Sequence, residues 1–281
     1  MSDPNIFNYV LVWPILNGLI AIYKLLFTLS IPYALGFSII ILTALIRFAL
    51  YPMMASQLKA SKKMQELSPH LSKLKEKHKE DAKRLQQETM RLYKEHGVNP
   101  AAGCLPMLVQ LPIIWGLYSV LQQIVRPESQ KVISEINKVV YFDFLKITNG
   151  WDTNFFGLPL GSNPANLLST LGPLIFLVPI ITGVLQFIQS KMLFTPASQN
   201  AKNKDLPAGR QEKKKDDFAS AFQSQSTYIF PIMIGFFSYT FPIGLSLYWN
   251  TFTLFGIIQQ YQIVGLGGLE SWKNKLIGKS K

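Results

Sequence analysis

Four stretches of the chain run almost without charge: 31–55, 101–123, 166–190 and 226–264. Polar and charged residues crowd into the segments between them. A membrane span needs roughly 20 consecutive apolar residues, so the first three stretches each predict one span. The last holds no Asp, Glu, Lys or Arg over 39 residues. It reads as two shorter spans, 226–241 and 242–264, divided at "FPIG" (Phe241 to Gly244), because proline and glycine end helices. The pattern predicts an all-α membrane protein with five transmembrane helices.

The first polar block, 56–100, predicts a charged helical hairpin. Leu58, Met64, Leu67, Leu71, Leu74, Leu85, Leu92 and Tyr93 form a thin apolar stripe among Lys, Glu and Gln, as in a solvated helix pair. Pro69 opens or kinks a helix, "KHKED" at 77–81 is the turn, and Gly97 suits a helix end. A block of this length is long for a connector and favours a docking surface. Residues 191–225 read as a disordered loop, and 265–281 as a basic tail.

Residues 1–30 contain an apolar helix dotted with polar groups. Trp13, Asn17, Lys24 and Thr28 fall on one side at helical spacing. The sequence favours an interfacial helix lying outside over a sixth span. No A-x-A cleavage site follows it, so it does not read as a removed signal peptide. The 124–165 segment is an extracytoplasmic loop whose aromatics suit an outer interface.

Charge then sets orientation. Eleven Lys/Arg lie in 56–100, seven in 191–225 and four after 264. The 124–165 loop carries four, offset by four acids. Excess Lys/Arg marks the cytoplasmic side, so 56–100, 191–225 and the tail are inside. A net charge of +12 is therefore a topology signal, with some attraction to anionic lipid or ribosomal RNA.

Catalytic chemistry is missing from the spans. His70, His78 and His96 all lie in the hairpin, and no span holds an Asp or Glu. That excludes a buried Ser/His pair, an aspartyl dyad and a carboxylate proton relay. With one cysteine, Cys104, there is no disulfide framework. No P-loop or metal-ligand spacing appears, so neither an enzyme nor a cofactor or metal is expected.

Polar residues inside the spans are the candidate site. Thr43, Arg47 and Tyr51 are spaced four apart in the first span. Gln110 stands in the second, between Pro106 and Pro112; Thr182, Gln186 and Gln189 lie in the third. Ser246, Trp249, Asn250, Thr253 and Gln260 lie in the fifth. Most such residues only join helices. Arg47 is different, since arginine is not neutralised in proteins. Its partners must be water, backbone or side-chain oxygens, or something from outside the chain, and a hydrated cavity is the simplest solution. Arg47 sits eight residues before Ala55, roughly 12 Å at the helical rise, so the cavity should open toward the cytoplasm.

The stretches "GFSIIILTALIRFALYPM", "LYKEHGVNPAAGCLPMLVQLPI", "GVLQFIQSKM" and "FPIGLSLYWNTFTLFGIIQQY" resemble the YidC-type membrane protein insertases over nearly the whole chain. The resemblance is to the short form, without a large periplasmic domain; the chain departs from that form in lacking the lipoprotein-type signal and cysteine often found there and in its longer outer loop. It implies a five-helix core with a cytoplasmic hairpin between the first two spans, in the bacterial plasma (inner) membrane. It also implies a groove open to cytoplasm and lipid but closed outside. Arg47 takes the place of the groove arginine, and Gln189 and Trp249 fall where the family puts other groove residues. Implied partners are nascent membrane proteins, the lipid bilayer, the ribosome and signal recognition machinery, and the general secretory channel.

The expected function is insertion of hydrophobic segments through a hydrated groove lined by Arg47, Thr43, Tyr51, Gln110, Gln186, Gln189, Trp249 and Asn250. One rival is a small channel or passive transporter, which would need polar residues along its whole length; "YALGFSIII" at 33–41 is apolar instead. The other is a ribosome tether, which leaves Arg47 unexplained.

Overall fold

The computed structural model describes residues 3–78, 81–99, 105–124, 130–148, 150–193 and 218–270. Most of them are helical. The expected loop 191–225 and basic tail 265–281 fall largely outside the described residues, as does Cys104.

The chain forms α1 (Trp13–Thr28, continued backwards by a π-helical turn, Asn8–Val12), α2 (Ala34–Ala49), α3 (Tyr51–Glu66), α4 (Ser68–Lys77) and α5 (Ala82–Glu95). Then come α6 (Leu105–Ile124), α7 (Gln130–Lys138), a two-stranded hairpin of β1 (Asn154–Phe155) and β2 (Leu158–Pro159), α8 (Pro164–Leu171), α9 (Leu177–Leu193), α10 (Phe218–Thr240) and α11 (Ile243–Val264). Among the described residues, two helices are long and apolar enough to cross a membrane, Asn8–Thr28 and Pro164–Leu193; α2 and α3 would add a third if they counted as one span.

Three elements depart from the sequence pattern for local reasons. The first expected span, 31–55, breaks at Leu50. Pro52 has no N–H for the Phe48 carbonyl four residues back, and it starts α3 cleanly instead. The third, 166–190, is interrupted by a 3-10 turn, Gly172–Phe176, at Pro173. The outer segment, read from the sequence as a loop, contains the antiparallel β1–β2 pair. Its two-residue turn, Phe156-Gly157, has φ of +49° and +81°, as the favoured hairpin turn requires. The Phe156 ring stacks 4.6 Å from Tyr33, itself left-handed at φ +57°. Gly36 is obligatory here, because a Cβ would lie 1.9 Å from the Phe155 ring.

Two compact units can be distinguished. The first comprises Met1–Tyr51, Pro106–Gln186 and Ile232–Gly256; the second comprises Pro52–Leu105, Phe187–Pro231 and Ile257–Lys281. The apolar core lies in the first unit, where Leu16, Leu19, Ile39, Val120, Leu121, Ile136 and Leu160 are fully buried. Asn17 and Lys24 turn one side of α1 toward the 139–146 segment. Asn17 Nδ2 donates to the Val139 carbonyl at 3.0 Å and its Oδ1 accepts from Tyr141 N at 2.7 Å. Lys24 Nζ donates to the carbonyls of Phe144 and Lys146.

In the second unit, α4 and α5 touch one another. They are separated by residues 78–81, where the sequence places its turn, and Pro69 lies in the first turn of α4. Lys191, buried near the end of α9, lies 5.5 Å from the Tyr228 ring.

Candidate functional site

The site is built on α2 and α11 in the first unit. α2 forms because "IIILTALI" is a run of apolar side chains that bury one face against α1. That burial carries Arg47, in the last helical turn, into the protein with 1% of its surface exposed. Bringing an arginine to mid-membrane depth costs roughly 3 kcal/mol on insertion scales.

Two contacts offset this cost, and one residue supplies both. The guanidinium carbon of Arg47 lies 3.4 Å from the centroid of the Phe252 ring. Nη2 donates to the Phe252 carbonyl at 2.6 Å. A desolvated cation over an aromatic face is worth about 2 kcal/mol. A hydrogen bond from a charged donor adds about 1.5–3 kcal/mol. Their sum is of the same size as the insertion cost, so the guanidinium can remain charged where it is.

The ring is held from behind. Tyr248, one turn earlier on α11 and 1% exposed, stacks on Phe252 at 5.9 Å with a 33° tilt. The Tyr248 hydroxyl accepts from Gln110 Nε2 at 2.7 Å. Gln110, Tyr248, Phe252 and Arg47 thus form one layered stack.

Other expected site residues take separate places. Thr43 is buried, but its hydroxyl donates back to the Ile39 carbonyl of its own helix at 2.6 Å. Tyr51 lies beyond the break at Leu50 and is 38% exposed. Gln186 accepts from Trp249 Nε1 at 3.0 Å. Gln189 is half-buried in the second unit. Asn250 Oδ1 and the Thr253 hydroxyl are buried with no hydrogen-bond partner among the described residues.

A hydroxyl cluster ties α9, α10 and α11 together. Thr182 Oγ1 lies 3.1 Å from Ser238 Oγ, and Ser238 Oγ lies 2.8 Å from Ser246 Oγ. Beside it a small, partly open pocket is lined by these three residues with Ile234, Phe237, Phe241, Leu245 and Trp249. No group of His, Cys, Asp or Glu among the described residues could hold a metal.

Sequence reasoning missed Phe252, Tyr248 and Ser238. The aromatic pair carried a signal: Tyr248 and Phe252 stand one helical turn apart on the same span as Asn250. An unpaired span arginine calls for a π-face as much as for an oxygen.

Residues 26–266 match the family described as the 60Kd inner membrane protein. The chain is 34% identical over 232 residues to the membrane protein insertase YidC of Fusobacterium nucleatum, covering 83% of this chain and 87% of that one. It is 34% identical over 234 residues to the insertase MisCA of Bacillus subtilis, covering 82% and 70%. It is 33% identical over 271 residues to the insertase YidC 2 of Bacillus anthracis, covering 94% and 83%. The chain belongs to the YidC family of membrane protein insertases. Membership places it in the bacterial inner membrane as a multi-pass protein. The layered stack at Arg47 therefore belongs to a protein whose family inserts other proteins into lipid.

Proposed function

We propose that this insertase receives the hydrophilic, often acidic segment of a newly made membrane protein at Arg47, from the cytoplasmic side, while the segment's hydrophobic part partitions into lipid beside it. Five spans carry the site, formed by the apolar parts of α2, α6, α9, α10 and α11. The α4–α5 pair is cytoplasmic, and α1 with the 124–165 loop is outside. Partitioning of apolar surface drives insertion, and the site lowers the barrier for the polar part. No chemical step is involved. Tyr51, Gln110, Gln186, Trp249 and Asn250 are the polar lining of the route, and Thr43 lies one turn before Arg47 on α2.

One observation carries this reading: a permanently charged guanidinium is buried where no span offers an acid, and it rests on a ring and a carbonyl that a carboxylate can replace. Beyond nascent chains and the bilayer, the ribosome, signal recognition machinery and secretory channel are the partners that the charged cytoplasmic segments would serve. The rival channel reading is disfavoured by Leu35, Ile39 and Leu121, apolar span residues that are fully buried in the first unit where a channel would call for polar ones.

The test uses vesicles carrying each variant and two single-span substrates that differ only in an acidic or neutral tail. Arg47→Lys should retain more insertion of the acidic-tailed substrate than Arg47→Gln or Arg47→Ala. Arg47→Glu should abolish it, because attraction becomes repulsion in a medium of lowered dielectric. Equal loss for both tails would remove the electrostatic role. Topology is checked separately with single cysteines in a Cys104→Ser background. Those replacing Leu85, Arg210 and Lys275 should resist an impermeant thiol reagent added outside, and one replacing Glu135 should react.

A further inference from the structure

We propose that Phe252 is a specificity-determining residue of this site: its ring and carbonyl hold Arg47 in a resting position, and a substrate segment gains the guanidinium only by displacing them. The proposal rests on the reading that Arg47 meets the substrate's polar segment, and it adds an internal competitor to that reading.

Geometry supplies the competitor. A separation of 3.4 Å from guanidinium carbon to ring centroid is face-on van der Waals contact. The same residue's carbonyl takes Nη2 at 2.6 Å. The ring is not free to swing away unaided, because Tyr248 backs it and Gln110 fixes the Tyr248 hydroxyl. Release of Arg47 therefore means moving the guanidinium off the ring.

Two further polar atoms on α11 lack a partner among the described residues. Asn250 and Thr253 flank Phe252 on α11. The Asn250 Oδ1 and the Thr253 hydroxyl are buried without a partner among the described residues, and Thr253 is 1% exposed. Thr251, on the same helix, satisfies its hydroxyl by donating to the Leu247 carbonyl at 2.8 Å; Thr253 does not use that option. Buried polar groups in native proteins are nearly always satisfied, so these two await water or a polar ligand.

The chemistry sets a threshold. A carboxylate engages a guanidinium through two parallel, charge-assisted bonds and outcompetes a ring with one carbonyl. A neutral amide or hydroxyl offers one ordinary acceptor and does not. A ligand's apparent affinity scales with the fraction of the protein already in the binding-competent state. Weak, neutral segments therefore lose most from the resting contact, and they gain most when it is removed.

The experiment compares the full-length parent, F252L, F252W and R47Q in vesicles with the acidic- and neutral-tailed substrate pair. F252L removes the π-face but keeps the carbonyl and an apolar side chain. It should lower the acidic-to-neutral insertion ratio about fivefold, mainly by raising the neutral rate. F252W, with a stronger face, should raise the ratio above the parent's. An unchanged ratio in F252L, or equal slowing of both substrates, overturns the proposal and leaves Phe252 as packing. If F252L does not fold, F252W carries the test alone through its ratio and its indole emission. That emission should shift when an acidic-tailed substrate binds and stay constant in R47Q/F252W; no shift on demonstrated binding also overturns it. A parent with no acidic preference, insensitive to R47Q, would instead refute the Arg47 reading itself. A preference that R47Q abolishes and F252L leaves intact would refute only the competitor.

Discussion

Two asparagines of the first unit place their polar atoms in opposite ways. Asn17 on α1 has each functional atom engaged: its amide nitrogen donates to the Trp13 and Val139 carbonyls, and its oxygen accepts from Tyr141 N. Asn250 on α11 keeps a buried oxygen with no partner among the described residues. The first closes a contact between segments more than 120 residues apart in the chain. The second stands two residues from the ring that holds Arg47. A satisfied buried amide is architecture, since removing it strands its partners. An unsatisfied one costs stability where it is, and is tolerated where something else is to bind.

Substitutions can break this contrast, and thermal unfolding of the purified protein in detergent ranks them. Asn17→Leu should be the most damaging. It keeps side-chain volume but strands the Val139 carbonyl and the Tyr141 N–H, at about 3 kcal/mol together, and insertion should fall only as far as folding does. Wild-type melting of this variant would show that the amide is no staple.

Lys24→Met should cost less, about 1 kcal/mol. It retains the aliphatic stem and loses two bonds to carbonyls at the edge of the same segment. A loss as large as that of Asn17→Leu would move the weight of the contact to the lysine.

For Asn250→Leu and Thr253→Val the sign changes. Neither removes a hydrogen bond made among the described residues, and both take a buried orphan atom away. The midpoint should hold or rise by the equivalent of up to about 1 kcal/mol, while insertion of the acidic-tailed substrate falls. Destabilisation comparable to Asn17→Leu would show that water or another group already satisfies these atoms structurally.

The smallest effect is expected at Asp143, whose carboxylate pairs with Lys146 at 2.6 Å. Hydrogen bonding to the Lys146 ammonium, and its charge, hold this carboxyl below its ordinary pKa. Its contribution is therefore present at neutral pH and lost as pH falls through the lowered value. Both side chains are exposed to solvent, so screening leaves little to lose. Asp143→Asn should not shift the midpoint at pH 7, although it lies in the segment that Asn17 clamps. A clear shift would mean that charge, not the buried amide, secures that segment.

Much of this was written in the chain. The charge-free stretches coincide with apolar helical segments, because the cost of a charge in lipid leaves a mark along a span; α1, apolar enough to span but carrying Lys24, lies outside them. Proline and glycine marked the boundary between α10 and α11 at Phe241 and Pro242. The expected 77–81 turn overlaps the end of α4 at Lys77, and its residues 79 and 80 lie outside the described residues. The helical spacing of Asn17 and Lys24 marked a polar side of α1, and the isolation of Arg47 among apolar residues marked it as the candidate. Each of these is a local signal, carried by neighbours within one or two turns.

Partners were not legible. Nothing near Asn17 names Val139 or Tyr141, and nothing near Arg47 names Phe252, which lies 205 residues further on. Periodicity tells which face of a helix is buried, but not which residue of another helix meets it. That choice depends on the rotation and depth of each helix, which close packing of side chains sets collectively. The same holds for Tyr51, whose four-residue spacing from Arg47 suggested a shared face until the break at Leu50 turned it to an exposed position. Sequence alone determined that this protein buries a charge it cannot neutralise; tertiary packing decided that an aromatic ring receives it, because only the assembled helices bring that ring within 3.4 Å.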